Sequence, residues 1–297
     1  MKEGRRETLW FLIMAGPALL GFLVFVLGPM LYSLYLSFTK YNVVDPPQWI
    51  GWQNYLYLVR DDPAFWPSVK VTLVYAAVMI PASLAIALGI ALLLNNRVKG
   101  LGVFRTIYYL PSLLPSTASV VIWLWIFHPN FGLLNNLLAR VGIEGPAWLS
   151  STTWALPSLM IMALWGFGGA MIIFLAGLQG VPRGLYEAAE IDGANAWHRF
   201  LHITLPVLSP VLFFNLVMGV IGAMKVFDQA YVFGAAQGQV PGGPARATLF
   251  YVLHLFQSSF TYFHMGLASA MAWMLFAVIV LLTWLNFRLG RKWVHHE

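Results

Sequence analysis

Residues 71–96 read VTLVYAAVMIPASLAIALGIALLLNN, a run without one Asp, Glu, Lys or Arg. A helix needs about 20 apolar residues to cross the hydrocarbon core of a bilayer, so this run alone is long enough to span one. Five more charge-free windows lie on either side of it: Thr8–Thr39, Thr106–Ala139, Gly145–Pro182, Phe200–Met224 and Ala247–Phe287. Over all 297 residues 60% are apolar and 9% are charged, against about 25% charged in an ordinary soluble domain. Such a chain cannot dress a water-facing surface, which excludes a soluble enzyme and a disordered tail. Its 13 Trp, 12 Tyr and 21 Phe suit lipid-facing and interfacial positions. The net charge of +6 is too dilute to be a nucleic-acid footprint. With no cysteine, disulfides and thiolate metal sites are excluded.

Trimmed to helix length, the windows give an all-α membrane domain over 9–288 with six transmembrane helices, near 9–36, 71–94, 111–127, 155–178, 207–224 and 266–285. Short tails, 1–8 and 289–297, flank it. The Gly-, Pro- and Gln-rich stretch Gln229–Ala245 is expected to be loop. Lys2, Arg5 and Arg6 precede the first window, which runs on past Pro29 without a small-residue cleavage site, so it is expected to be a retained helix. Alternating crossings put both termini and the second and fourth loops on one side, with Arg97, Lys99, Arg105, Arg183, Arg199, Arg288, Arg291 and Lys292 joining the three N-terminal bases. Only Lys40, Arg60, Lys70, Arg140, Lys225 and Arg246 lie opposite. The richer side is expected to be cytoplasmic. The external loops carry turn signals such as Asp45-Pro46-Pro47 and Pro241-Gly242-Gly243-Pro244, and none is long enough for a folded soluble domain.

The cytoplasmic loop 181–206 carries the most information. Pro182 suits the first turn of a helix, where a missing N–H costs nothing. Glu187, Glu190 and Asp192 come early, while Arg199, His198 and His202 come late. Leu185, Ala188, Ala189 and Ile191 add a surface of small and medium apolar residues, and Gly193 permits a break. The expectation is a short helix lying across the cytoplasmic face, offering a small-residue ridge to another protein. Three acids in six residues argue against a helix resting on anionic headgroups.

Glu187-Ala188-Ala189, three residues, Gly193, nine residues, Ile203, one residue and Leu205-Pro206 resemble the signature of permease subunits of binding-protein-dependent ABC importers. Further stretches resemble the carbohydrate-uptake branch: Gly51-Trp52-Gln53-Asn54-Tyr55, Arg105-Thr106-Ile107-Tyr108-Tyr109-Leu110-Pro111, and Lys225-Val226-Phe227-Asp228 with Gly242-Gly243-Pro244 and Thr248. The resemblance implies the type I importer permease fold in a prokaryotic inner membrane. It implies two cytoplasmic ATPase subunits that bind ATP and Mg, a second permease subunit of different sequence, and an extracytoplasmic solute-binding protein, all around the lipid bilayer and without nucleic acid. It also implies that Glu187, Ala188, Ala189 and Gly193 couple this chain to an ATPase: the glutamate as charged contact, the alanines for close approach, the glycine for the bend.

The chain's own residues agree that energy comes from elsewhere. No Gly-Lys pair is present, so there is no phosphate-cradling Gly-x-x-x-x-Gly-Lys loop, and His-Glu-x-x-His and Gly-x-Ser-x-Gly are missing too. The His295-His296 pair reads as solvated tail, and His198 with His202, lacking a third ligand, as structural. For the solute pathway the candidates are Lys225 with Asp228, three apart and so on one helical face; Asn215 in mid-crossing; and Trp123, Trp125, Trp165 and Phe167, which could stack on a sugar. Each also has a packing explanation. An ion-coupled secondary carrier is the alternative, but it would need intramembrane carboxylates or broken helices, neither of which the sequence displays. A permease for a non-sugar solute stays open, while an integral-membrane enzyme would need convergent His, Asp or Glu.

Overall fold

The computed structural model describes the backbone of residues 2–96, 99–236 and 242–294, and side chains from Trp10 onward within those ranges. Arg97, Pro241 and the His295-His296 pair lie outside the described residues. The chain divides into two compact units, Met1–Asp62 with Leu255–Phe276 and Pro63–His254 with Ala277–Glu297.

In the first unit, α1 (Lys2–Phe22) and α2 (Gly28–Ser37) are joined by a π-helical turn, Leu23–Leu27. Pro29 lacks an N–H, and the widened turn just before it absorbs the missing hydrogen bond without ending the rod. Beyond α2, Thr39–Lys40 pairs antiparallel with Gln48–Trp49, and α3 (Gln53–Arg60) follows. Asn54, buried, donates its amide to Ser37 O at 2.8 Å and Thr39 O at 2.9 Å, fixing the chain where it leaves the helix. The unit also contains a π-helical turn, Gln257–Thr261, and the start of the last helix, whose Trp273 Nε1 donates to Ser33 Oγ at 3.1 Å.

The second unit is built around α4 (Phe65–Leu94). Its small residues Ala87 and Ala91 are fully buried beside Met171, Phe174, Leu175 and Leu178 of a later helix, α9 (Gly168–Gly180). Two glycines of α9 let other segments of the chain approach it closely as well. A Cβ at Gly177 would meet Val211 Cγ2 at 2.9 Å, and one at Gly168 would meet Tyr108 O at 2.7 Å and Tyr109 Cα at 2.9 Å. The second contact is to backbone, which cannot swing away. Gly168→Leu is therefore expected to destabilise the chain by about 1–3 kcal/mol through overpacking, read as a lowered melting temperature in detergent. An unchanged melting temperature would contradict the close approach.

Between these helices lie α5 (Leu101–Leu113), α6 (Ser116–Ile126), α7 (Leu133–Arg140) and α8 (Ala155–Leu164). After α9 come α10 (Arg183–Ile191), α11 (Ala196–Arg199), a π-helical turn, Phe200–Thr204, and α12 (Leu205–Val207). The chain continues through α13 (Ser209–Met224), α14 (Asp228–Ala236), α15 (Tyr251–Phe256) and α16 (Met265–Gly290).

Among the described residues four helical stretches are long and apolar enough to cross a membrane: Trp10–Ser37, Phe65–Leu94, Ser209–Ala236 and Met265–Gly290. Two bent pairs, α5 with α6 at 100° and α8 with α9 at 41°, raise the number to six if each pair is one span. The helix expected over 111–127 is thus broken. Pro115 immediately precedes α6, and Leu114 before it takes extended backbone with ψ 138°, the region toward which a following proline biases a residue. The stretch 155–178 is interrupted at Trp165-Gly166-Phe167. Broken helices, not visible in the sequence, are therefore part of this fold. Gln229–Ala245, expected as loop, opens inside α14 instead. Ala230 and Phe233 there are buried, and the dense Gly and Pro begin only after Ala236.

Candidate functional site

The elbow between α9 and α12 is a rigid frame with an uncovered face. Pro182 sits ahead of α10 in extended backbone (φ −60°, ψ 127°) and sets the direction of the helix. At the other end Gly193 takes φ +76°, its N–H donates to Glu190 O at 3.1 Å, and Ala194 N–H donates to Ala189 O at 2.8 Å. These two bonds form a Schellman motif, in which a left-handed residue satisfies the last carbonyls of the helix. Nothing lies within 4 Å of a Cβ at this position, so glycine is required by the backbone angle and not by space.

Glu190 then pairs with Arg199, tying α10 to α11. Asn195 caps α11 by accepting from His198 N–H at 2.9 Å, and the Tyr186 and Thr204 hydroxyls share a hydrogen bond of 2.9 Å. Outward, Ile191 is 87% exposed, and Trp197, Leu185, Glu187 and Ala188 are exposed as well, while Ala189 is half-buried. The His198 and His202 rings stack 5.4 Å apart. Among the described residues no group of three or more His, Asp or Glu could hold a metal ion.

A second feature lies where the two broken helices face each other. A cleft of about 230 Å³ is lined by Pro111 and Ser112 before the first break, Ser116 and Ser119 after it, Trp165 and Gly166 at the second break, and Gln229 of α14. Ser116 Oγ donates to Asp228 Oδ2 at 2.9 Å, joining α6 to the start of α14. Hydroxyls, an amide and an indole line this cleft, with no charged side chain on its walls. Such a surface offers hydrogen bonds and a flat apolar ring to a neutral, hydroxyl-bearing molecule. Irregular backbone at membrane depth is tolerated where it lines a cavity, and broken helices mark binding sites for that reason.

Residues 64–295 match the family described as binding-protein-dependent transport system inner membrane component. The chain belongs to this family. The permease is 43% identical to the probable ABC transporter permease protein YesP of Bacillus subtilis (strain 168), with 99% of this chain and 94% of that one covered. It is 31% identical to the sulfoquinovosyl glycerol transport system permease protein SmoG of Agrobacterium fabrum (strain C58 / ATCC 33970), covering 96% and 91%. In fold it matches a bacterial alginate ABC transporter solved in complex with an alginate pentasaccharide-bound periplasmic protein, with a TM-score of 0.85, 21% identity and coverage of 98% and 96%. Membership makes the permease a multi-pass membrane component of a binding-protein-dependent transport system.

The structure brings some of the sequence-nominated residues together and separates others. Glu187, Ala188, Ala189 and Gly193 share the elbow, the first three on α10 and the glycine at its end. Trp165 lines the cleft, and Trp123 packs edge-on against it with ring centroids 6.0 Å apart. Trp123 Nε1 is buried without a hydrogen-bond partner. Asn215 is buried and donates its amide to Val211 O at 2.9 Å, one turn back on its own helix, away from the cleft lining.

Lys225 and Asp228 do not share a helical face. The permease leaves α13 at Met224 and restarts as α14 at Asp228, and the aspartate accepts from Ser116 instead of pairing with the lysine. Three residues of separation bring side chains together only in an unbroken helix. Sequence reasoning missed Ser112, Ser116, Ser119 and Gln229. A signal for the serines was present, since they flank the Leu114-Pro115 step that breaks the span.

Proposed function

We propose that the permease forms half of the translocation pathway of an ATP-driven importer for a sugar or related polyhydroxylated solute, delivered by an external binding protein. In this reading the chain crosses a prokaryotic inner membrane six times, each bent pair counting as one crossing, with both termini in the cytoplasm. It carries no ATPase site of its own. Two cytoplasmic ATPase subunits supply ATP and Mg chemistry, and a second permease of different sequence completes the pathway. Glu187, Ala188, Ala189 and Gly193 form the contact through which an ATPase moves the membrane helices.

The elbow carries this reading. It is a helix held at both ends whose outer face leaves Ile191 and Glu187 to solvent, a surface that buries nothing until a partner arrives. The relatives named for a sulfoquinovosyl glycerol system and for alginate support a saccharide, and the uncharged cleft supports hydroxyl recognition at Trp165 and Gln229.

Proteoliposomes holding the complete importer test the reading. Binding-protein-delivered saccharide should enter only with ATP, and the double variant Trp165→Ala with Gln229→Ala should raise the KM for uptake about fivefold or more, as losing about 1–3 kcal/mol of stacking and hydrogen bonding does. The binding protein's own affinity for the saccharide should stay the same. ATP-independent accumulation, or unchanged uptake by the double variant, would remove the pathway assignment.

A further inference from the structure

The first unit contains a cleft of about 620 Å³ where α2 ends at Ser37 and α16 begins at Met265. Its walls carry Lys40, Tyr41, Tyr57, Tyr262 and His264, with Val43, Val44 and Phe263 beside them. The frame is fixed from below. Gly266 N–H donates to Tyr41 O at 3.1 Å, and His264 N–H donates to Ser258 O at 2.8 Å. Two of the wall residues hold strained backbone, Val43 at φ +75° and Phe263 at φ +56°, a region that β-branched and bulky side chains avoid. Strain kept on two facing loops is more common at binding sites than elsewhere.

The amide groups of this cleft are already spent. Asn54 gives its amide to Ser37 O and Thr39 O, and Asn42 holds Asp45 through its amide and its carbonyl oxygen, both at 2.9 Å. What remains is the Lys40 ammonium, a pure donor, with tyrosine hydroxyls and the His264 imidazole that can donate beside it, and no carboxylate is among the side chains lining the cleft. A donor-rich, cationic cavity selects an acceptor-rich anion over a sugar, which offers as many donors as acceptors.

Its position specifies the kind of anion. The cleft opens at the ends of two long apolar helices, where helices that cross a bilayer reach the lipid headgroups. Around it Val44 is 88% exposed, and Trp49 and Trp52 are more than 60% exposed, the side chains that a membrane interface accepts. We propose that this cleft binds the headgroup of an anionic phospholipid, its phosphate against Lys40 and His264 and its acyl chains leaving past Val43 and Val44. The site requires only that these helices cross the bilayer; placing it in the outer leaflet rests on the orientation proposed above.

Native mass spectrometry of the purified importer tests this, with dioleoyl-phosphatidylglycerol and dioleoyl-phosphatidylcholine offered at equal concentration. Wild type should retain phosphatidylglycerol at least fivefold over phosphatidylcholine. Lys40→Ala with His264→Ala should remove that preference, while Lys40→Arg should keep most of it. Equal retention of the two lipids by wild type, or an undiminished preference in the double variant, would overturn the proposal. Millimolar glycerol 3-phosphate should fail to displace the lipid. Displacement would identify a soluble-phosphate site and overturn the lipid assignment. A reversed orientation would leave the lipid preference intact and appear separately, as labelling of a cysteine placed at Val44 from the cytoplasmic side.

Discussion

Gly193→Pro is expected to abolish uptake while leaving membrane insertion intact. At this position the backbone sits at φ +76°, whereas proline is confined near −65°. Proline also removes the N–H that reaches Glu190 O, one of the two bonds closing the Schellman end of α10. With that end undone, α10 and α11 lose the angle between them, and the partner meets a surface of the wrong shape. Gly193→Ala should be milder, since an ordinary residue in the left-handed region costs about 1–2 kcal/mol. Gly193→Asn should be milder still, because asparagine is tolerated at this cap. The graded series, measured as ATP-driven uptake in proteoliposomes at matched protein content, separates a conformational requirement from a steric one. Wild-type transport by the proline variant would remove the elbow from the mechanism.

Glu187→Lys should fail differently. The glutamate is exposed on α10 and lies outside the ion pair that ties α10 to α11, so reversing its charge should change the stability of the isolated chain by no more than about 0.5 kcal/mol. Assembly is another matter. A like-charge contact in an interface costs several kcal/mol, enough to lower ATPase retention on affinity purification about a hundredfold or more. The expected outcome is a permease with an unaltered melting profile that emerges from the column without its ATPase. Full retention would mean that Glu187 does not face the ATPase.

The long helices were legible in the sequence because their cause is additive: each missing charge lowers the cost of leaving water, and the sum over some twenty residues needs no knowledge of tertiary contacts. Gly193 was legible for a related reason, as few residues other than glycine occupy the left-handed region at a helix end. Prolines defeated the same approach. Pro17, Pro81 and Pro111 all lie inside helices, whereas Pro115 starts a new one after a 100° bend. The sequence on either side does not mark which proline will break a helix, so one-dimensional spacing carries no record of the break. Lys225 and Asp228 were misjudged by the same fault, since their pairing presupposed a helix that the chain interrupts. The serines of the cleft went unseen because serine in an apolar run is ordinary; only the break gives them a cavity to line.

Helix α9 gives the elbow and the cleft a common backbone. It begins two residues after Gly166 and stops two residues before Pro182, and its thirteen residues make a rod about 20 Å long. Gly168 holds the upper end of this rod against the main chain of α5, between one and two turns before the first break. If the elbow and the cleft act as proposed above, a tug at the Pro182 end would arrive at the Gly166 end as the stroke of a single stiff piece, with no relay of side chains between them.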